Sequence, residues 1–178
     1  TIKDGKLVNG QNEQFTFEIL LVSPSFERVM ADFTKNLQTL GINASYRTID
    51  PALYVRRMQK FDFDMTVEVF GQSQSPGNEQ RDLWTSEAAD KEGSRNAIGI
   101  KNPVVDQLVD RIIYATTQEE LTAACKALDR VLWYNYYVVP NWYLATYRLA
   151  YWNKFSRPGT LPLYYAPFQL LMTWWGNN

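Results

Sequence analysis

The sequence predicts an α/β fold: a β-α-β-α-β core with additional helices and a C-terminal extended segment. Three observations predict it. Apolar residues alternate at strand period over 15–21 and again over 63–70. They recur at helical period between Phe26 and Leu40. The first two junctions from strand to helix each carry a polar cap followed by proline, Ser23-Pro24 and Asp50-Pro51. Strands that alternate with crossover helices are parallel and joined by right-handed connections.

Residues 1–14 are polar, with Gly5 and Gly10, and read as a lead-in. "FTFEILL" then places Phe15, Phe17, Ile19 and Leu21 on one face of the first strand. The helix that follows has Phe26, Val29, Met30, Phe33, Leu37 and Leu40 on its inner side, Ser23 as its cap and Gly41 at its end. "INASYRTI" is the second strand, and Asp50-Pro51 opens a short helix through Met58. "FDMTVEVF" is the third strand, with Phe63, Met65, Val67 and Val69 facing one way and Asp64, Thr66 and Glu68 the other. A polar loop follows, then a short helix within Arg81–Ala89 and a second loop, "DKEGSRNAIGIKNP". Asn102-Pro103 opens a helix with Val105, Leu108, Val109, Ile112 and Ile113 on one face. Thr117 and Glu120 have the spacing of a capping box for a longer helix lined by Leu121, Ala124, Cys125, Leu128, Val131 and Leu132. From Val138 the pattern turns extended and aromatic, and the tail from Ser156 has no clear period.

Composition narrows the functions available. The 178 residues are 46% hydrophobic and 21% charged, a globular balance, and suit one domain with an appendage. A net charge of −1 lacks the basic surplus expected of a nucleic-acid binder. Histidine is absent and Cys125 is the single cysteine, which excludes His or Cys metal clusters, histidine-based catalytic pairs and an internal disulfide. No apolar run reaches the ~20 residues of a membrane helix. The chain opens on Thr1 without a leader-like stretch, and the expectation is a fragment or a processed chain.

The tract "VFGQSQSPGNEQRDLW" concentrates uncharged hydrogen-bonding groups: Gln72, Ser73, Gln74, Ser75, Asn78 and Gln80. It leaves the carboxyl end of the third strand, and open parallel sheets bind ligands outside such ends. Paired donors and acceptors without charge suit a peptide or a sugar. A solvated surface loop has the same composition. Glu68, Glu79 and Asp82 offer a pair of carboxylates for hydrolysis, although nothing in their spacing selects a pair. Arg95 and Asn96 could receive a carboxylate, and Trp142 and Tyr143 could stack on a ligand. Cys125 sits on an apolar helix face as a core thiol. Adjacent Trp174 and Trp175 would point to opposite faces of a strand, so an isolated tail exposes at least one.

The run "GQSQSPGNEQRDLWTSEAADKEGSRNAIGIKNPVVDQLVD", with "ALDRVLWYNYYVVPNWY" and "RLAYWNKFSRP", resembles the YejA-type periplasmic oligopeptide-binding proteins, within solute-binding protein family 5 of ABC transporters. The resemblance covers essentially the whole chain. It implies a periplasmic-binding-protein-like lobe: residues 1–155 as the C-terminal ligand-binding lobe, and 156–178 as a segment returning toward an N-terminal lobe not in this chain. It implies periplasmic peptide capture and delivery to an inner-membrane permease, with no catalysis, cofactor or nucleic acid. A lone lobe would bind weakly. The site it implies is the loop headed by Phe70, with Gln72, Ser73, Gln74 and Asn78 against the peptide backbone. Related binders often use an acidic residue there for the peptide's amino terminus, and Glu79 is the nearest acid on this loop. Arg95 and Asn96 match the "GSRN" segment and Trp142 the "PxWY" segment. A carbohydrate binder of the same fold, a carboxylate hydrolase and a scaffold with an empty cleft are the alternatives.

Overall fold

A run of three apolar residues, Ile19 to Leu21, marks a strand covered on both faces, and all three are almost fully buried. They end strand β3 (Thr16–Leu21), the middle strand of a parallel sheet with β4 (Asn43–Thr48) on one side and β5 (Met65–Thr66) on the other. The structure is a computed structural model and describes all residues except 74, 144, 145, 147, 162–166 and 178, with only the backbone of 167 and 168. The chain forms two compact units, Thr1–Tyr137 and Val138–Asn178.

In the first unit, α1 (Glu27–Thr39) joins β3 to β4, and α2 (Pro51–Gln59) returns the chain to β5. Ile19 and Leu21 pack with Met30 of α1, and Phe17, Phe26, Val29, Phe33, Met65 and Val67 close around them. The order β4-β3-β5 sends the connection from β3 to one side while β5 lies on the other. The carboxyl ends of β3 and β5 therefore flank the kind of split where open α/β sheets bind ligands.

The third strand is shorter than its alternation predicts. Residues 63–70 alternate throughout, yet only Met65 and Thr66 pair, opposite Ile19 and Leu20. Ahead of them the Asp64 carboxylate accepts the Glu18 N–H at 3.0 Å, taking the place of a ladder carbonyl. Beyond them the neighbouring strand ends at Leu21 and the chain turns at Pro24, so Val69 has no strand to pair with and is exposed.

Helix ends follow local chemistry with two corrections. Asp50 accepts from the Ala52 and Leu53 N–H groups, and Asn102 from that of Val104, as expected. Ser23 occupies the cap position before a single 3₁₀ turn, Pro24–Phe26, but its hydroxyl pairs with that of Ser25 at 2.7 Å and caps no N–H. Thr117 does accept from the Glu120 N–H, whereas the Glu120 carboxylate reaches Thr116, one residue short of a reciprocal box. Those Thr116 bonds lead the causes that hold the Glu120 carboxyl below the ordinary glutamate range.

The lead-in is structured. β1 (Ile2–Lys3) and β2 (Lys6–Leu7) form a hairpin whose two loop residues, Asp4 and Gly5, both take positive φ, the conformation an Asp-Gly turn favours. This hairpin rests on the end of α1. There the Gly41 N–H donates to Gln38 and the Ile42 N–H to Leu37, a Schellman closure with Gly41 at φ +78°. The Gly41 carbonyl in turn accepts the Leu7 N–H at 2.8 Å.

A second core is helical. α3 (Glu79–Trp84), α5 (Pro103–Ile113) and α6 (Gln118–Tyr134) bury Leu83, Trp84, Val105, Val109, Ile112, Ala124 and Leu128 together with Ile100. The helix expected within 81–89 divides at Thr85 into α3 and α4 (Ser86–Ala89), and Asp106 of α5 accepts both the N–H and the hydroxyl of Ser86. Cys125 packs against this core, and burial raises its thiol above the ordinary range. No helix among the described residues is long and apolar enough to cross a membrane.

In the second unit, β6 (Phe155–Ser156) pairs antiparallel with β7 (Trp175–Gly176), and α7 (Pro167–Leu171) lies between them in sequence. Trp174 meets Tyr151 edge-on, with ring centroids 4.5 Å apart, while Trp175 is 53% exposed.

Candidate functional site

The amide-rich loop begins where Val67 packs on the sheet core and ends where Leu83 and Trp84 enter the helical core. Both anchors are apolar, so the polar residues between them are free to face outward or to bond one another. Phe70, at the head of the loop, lies on Trp84 with ring centroids 5.2 Å apart at 30°.

Glu79 opens α3 and folds back over the loop. Its two carboxylate oxygens accept the Gly77 N–H at 3.0 and 3.1 Å, and one also accepts the Ser73 hydroxyl at 3.2 Å. These bonds tie the loop into a ring. Main-chain N–H groups, its own first and then that of Gly77, hold the Glu79 carboxyl below the ordinary glutamate range. That direction is opposite to what a general acid needs. Glu68, its expected companion, is an exposed residue.

The lowered Glu79 carboxyl has a pH consequence. A group depressed in the folded state stabilises it above the unfolded value and loses that contribution as pH falls through the folded value. Acidification should therefore release the Gly77–Glu79 ring. In an NMR titration the Gly77 amide resonance should shift with a midpoint below the ordinary glutamate value of 4.5. The shift should vanish in Glu79→Gln, and a midpoint at or above the ordinary value would contradict the geometry.

The remaining candidates are placed as follows. Gln72 is exposed, and its carbonyl oxygen accepts from Gln80 at 2.8 Å. Ser73 donates within the loop, to the Ser75 carbonyl and to Glu79. Gln74 lies outside the described residues. Asn78 is exposed at the start of α3, and its side chain caps no N–H. Arg95 is exposed and makes no hydrogen bond or ion pair among the described residues. Asn96 is different: it is only 1% exposed, and its amide donates to the Thr85 and Ile100 carbonyls and accepts the Ile100 N–H, each at 3.0 Å. It fastens the loop that carries Arg95, and both of its N–H donors are engaged. Trp142 lies in the second unit and is 60% exposed.

Two residues outside the expected ligand contacts, Gln80 and Trp84, wire the loop from within. Gln80 is 2% exposed and joins Gln72 to the indole N–H of Trp84, which donates to the Gln80 oxygen at 3.0 Å. Their spacing of four along a short helix was the available signal.

Known proteins now bear on the site. No family model matches the chain. Over 178 residues it is 47% identical to the uncharacterized protein y4wM of Sinorhizobium fredii, which covers 99% of this chain and 26% of that protein. It is 43% identical, again over 99% of its length, to a probable peptide-binding protein YejA of Agrobacterium fabrum, of which 29% is covered. The chain is similar in sequence to a segment of each of these proteins. It spans between a quarter and a third of the length of these curated relatives. The segment shares its fold with a periplasmic oligopeptide-binding protein of Thermotoga maritima bound to mannohexaose, with a TM-score of 0.63 and 19% identity over 74% of this chain and 25% of that one. AppA of Bacillus subtilis, an oligopeptide-binding protein in complex with a nonapeptide, gives a TM-score of 0.62 and 20% identity over 72% of this chain and 25% of that one. At these identities the likeness establishes the fold alone, a periplasmic-binding-protein-like lobe, as the resemblance implies.

Proposed function

We propose that this chain is a ligand-binding lobe of a periplasmic solute-binding component of an ABC transporter, and that it captures oligopeptides for import. The observation that carries this reading is the outward chemistry of the loop. On the loop that leaves the carboxyl end of β5, Gln72 and Asn78 expose uncharged amides, and Phe70 at its head is also exposed. A peptide main chain offers one donor and one acceptor per residue whatever its side chains. Amides satisfy these groups without reading sequence, and an aromatic ring takes a side chain or the flat face of a peptide bond. The relative named as peptide-binding and the neighbour holding a nonapeptide support the same ligand class.

The role is binding without turnover. The rest of the protein supplies the opposing lobe, and closure of the two removes water and strengthens each hydrogen bond. Arg95, exposed in the same unit as the loop, is a further contact in this reading. Glu79, whose carboxylate is turned onto Gly77, shapes the loop that receives the peptide. The partners are an oligopeptide, the opposing lobe and an inner-membrane permease.

Native mass spectrometry of the full-length protein purified from its periplasm tests the proposal. The expected result is a series of added masses that fragment as oligopeptides. Added masses that fragment as hexose units would replace the peptide by a sugar, and a protein that carries neither and binds no peptide on titration would sink the reading.

A further inference from the structure

We infer that Gln80 is a positioning residue that holds the Gln72 amide with both N–H donors facing out of the loop, so that the ligand group received there is a hydrogen-bond acceptor. The inference rests on the function proposed above and names the polarity of one contact within it. Its anchor is a group whose hydrogen-bond direction admits no choice. An indole N–H donates and cannot accept. Trp84 is buried, and its Nε1 lies 3.0 Å from the Gln80 oxygen. That bond fixes which end of the Gln80 amide faces Trp84.

The other end follows. The Gln80 Nε2 meets the Gln72 Oε1 at 2.8 Å and the Glu79 Oε1 at 3.3 Å. Both acceptors are oxygens, and the Glu79 carboxylate is held ionised by the main-chain N–H groups it accepts. Reversing the Gln80 amide would set a donor against the indole donor and an oxygen against a carboxylate. Gln80 is 2% exposed, so water cannot relieve either clash. Reversing Gln72 would set its NH₂ against that of Gln80. The direction of hydrogen bonding thus runs from Trp84 through Gln80 to Gln72 and leaves the Gln72 NH₂ without an acceptor among the described residues. A peptide carbonyl or a terminal carboxylate fits it, and an amino terminus does not. Trp84 also carries Phe70 on its ring, so one buried indole sets both an apolar contact and a polar one.

The test uses the full-length protein. Without ligand, the Trp84 indole N–H, identified by its loss in Trp84→Phe, should exchange slowly with solvent and at least about tenfold faster in Gln80→Leu. Equal exchange overturns the inference whether or not any peptide binds. With a peptide that the wild type binds, Gln72→Ala should weaken affinity by about tenfold, the worth of one well-made hydrogen bond. Gln80→Glu, which forces Gln72 to turn its oxygen outward, should cost a similar factor, and less than about twofold when Gln72→Ala is already present. An equal loss in both backgrounds, or no loss in Gln72→Ala, overturns the inference. Gln72→Ala changes an exposed side chain and gives its answer even where a Gln80 variant fails to fold. A wild type that holds no peptide overturns the proposed function instead, and the exchange measurement then decides the relay by itself.

Discussion

Replacing Gly41 with Ala is expected to lower unfolding stability by about 3 kcal/mol, from a left-handed residue's penalty of 1–2 kcal/mol plus backbone overpacking. Both costs come from one position. Gly41 has φ +78°, and a Cβ there would stand 2.6 Å from the Leu7 nitrogen and 2.8 Å from the Gly5 oxygen. Those neighbours are main chain, so no rotamer change can relieve the contact. The hairpin of β1 and β2 would have to lift, breaking the Leu7 bond to the Gly41 carbonyl and loosening the closure of α1. Urea unfolding of wild type and variant checks the value. A loss under about 1 kcal/mol would mean that the hairpin is held too weakly to resist, the ordinary Gly-to-Ala change being no larger than that.

Asn96→Ala is expected to cost at least as much, about 3–4 kcal/mol, because each buried main-chain group left without a partner costs 1–3 kcal/mol. The Thr85 carbonyl loses one of its two donors and keeps the Ala88 N–H at 3.1 Å, while the Ile100 carbonyl and the Ile100 N–H are left unpaired. Thr85 lies at the break between α3 and α4, and Ile100 belongs to the helical core, so the variant should loosen the loop that carries Arg95 as well. Denaturant unfolding gives the energy, and faster exchange of the Ile100 amide localises it. A variant as stable as wild type would show that water enters and replaces the lost amide.

These two residues also show what a sequence can and cannot disclose. Asp50 and Asn102 were legible as caps because a cap needs only its own side chain and the next two or three N–H groups. The parallel core was legible for a similar reason: alternation, helical period and proline junctions lie within short windows. The third strand was overdrawn because alternation describes side chains, whereas a strand needs a neighbour, and β3 stops at Leu21. The Asp4-Gly5 turn was present in the sequence but hidden by strands of two residues each, too short to show a period. Asn96 looked like a surface amide since nothing nearby in sequence reveals that the Thr85 carbonyl, eleven residues earlier, closes over it. Gln80 looked like one more loop amide for the same reason. A polar side chain's role depends on partners that only the fold brings near, so the loop's position was readable and its internal wiring was not.

The loop from Val67 to Leu83 is fastened at its two ends by separate cores, and its own middle by Glu79 and Gln80. Its outermost residues, Gln72, Ser75 and Asn78, therefore carry little of the folding load. Where the loop receives the ligand as proposed, mutation can alter what it recognises while the scaffold beneath it keeps its shape. Such a division of labour lets one architecture drift between ligands without first passing through an unstable intermediate sequence.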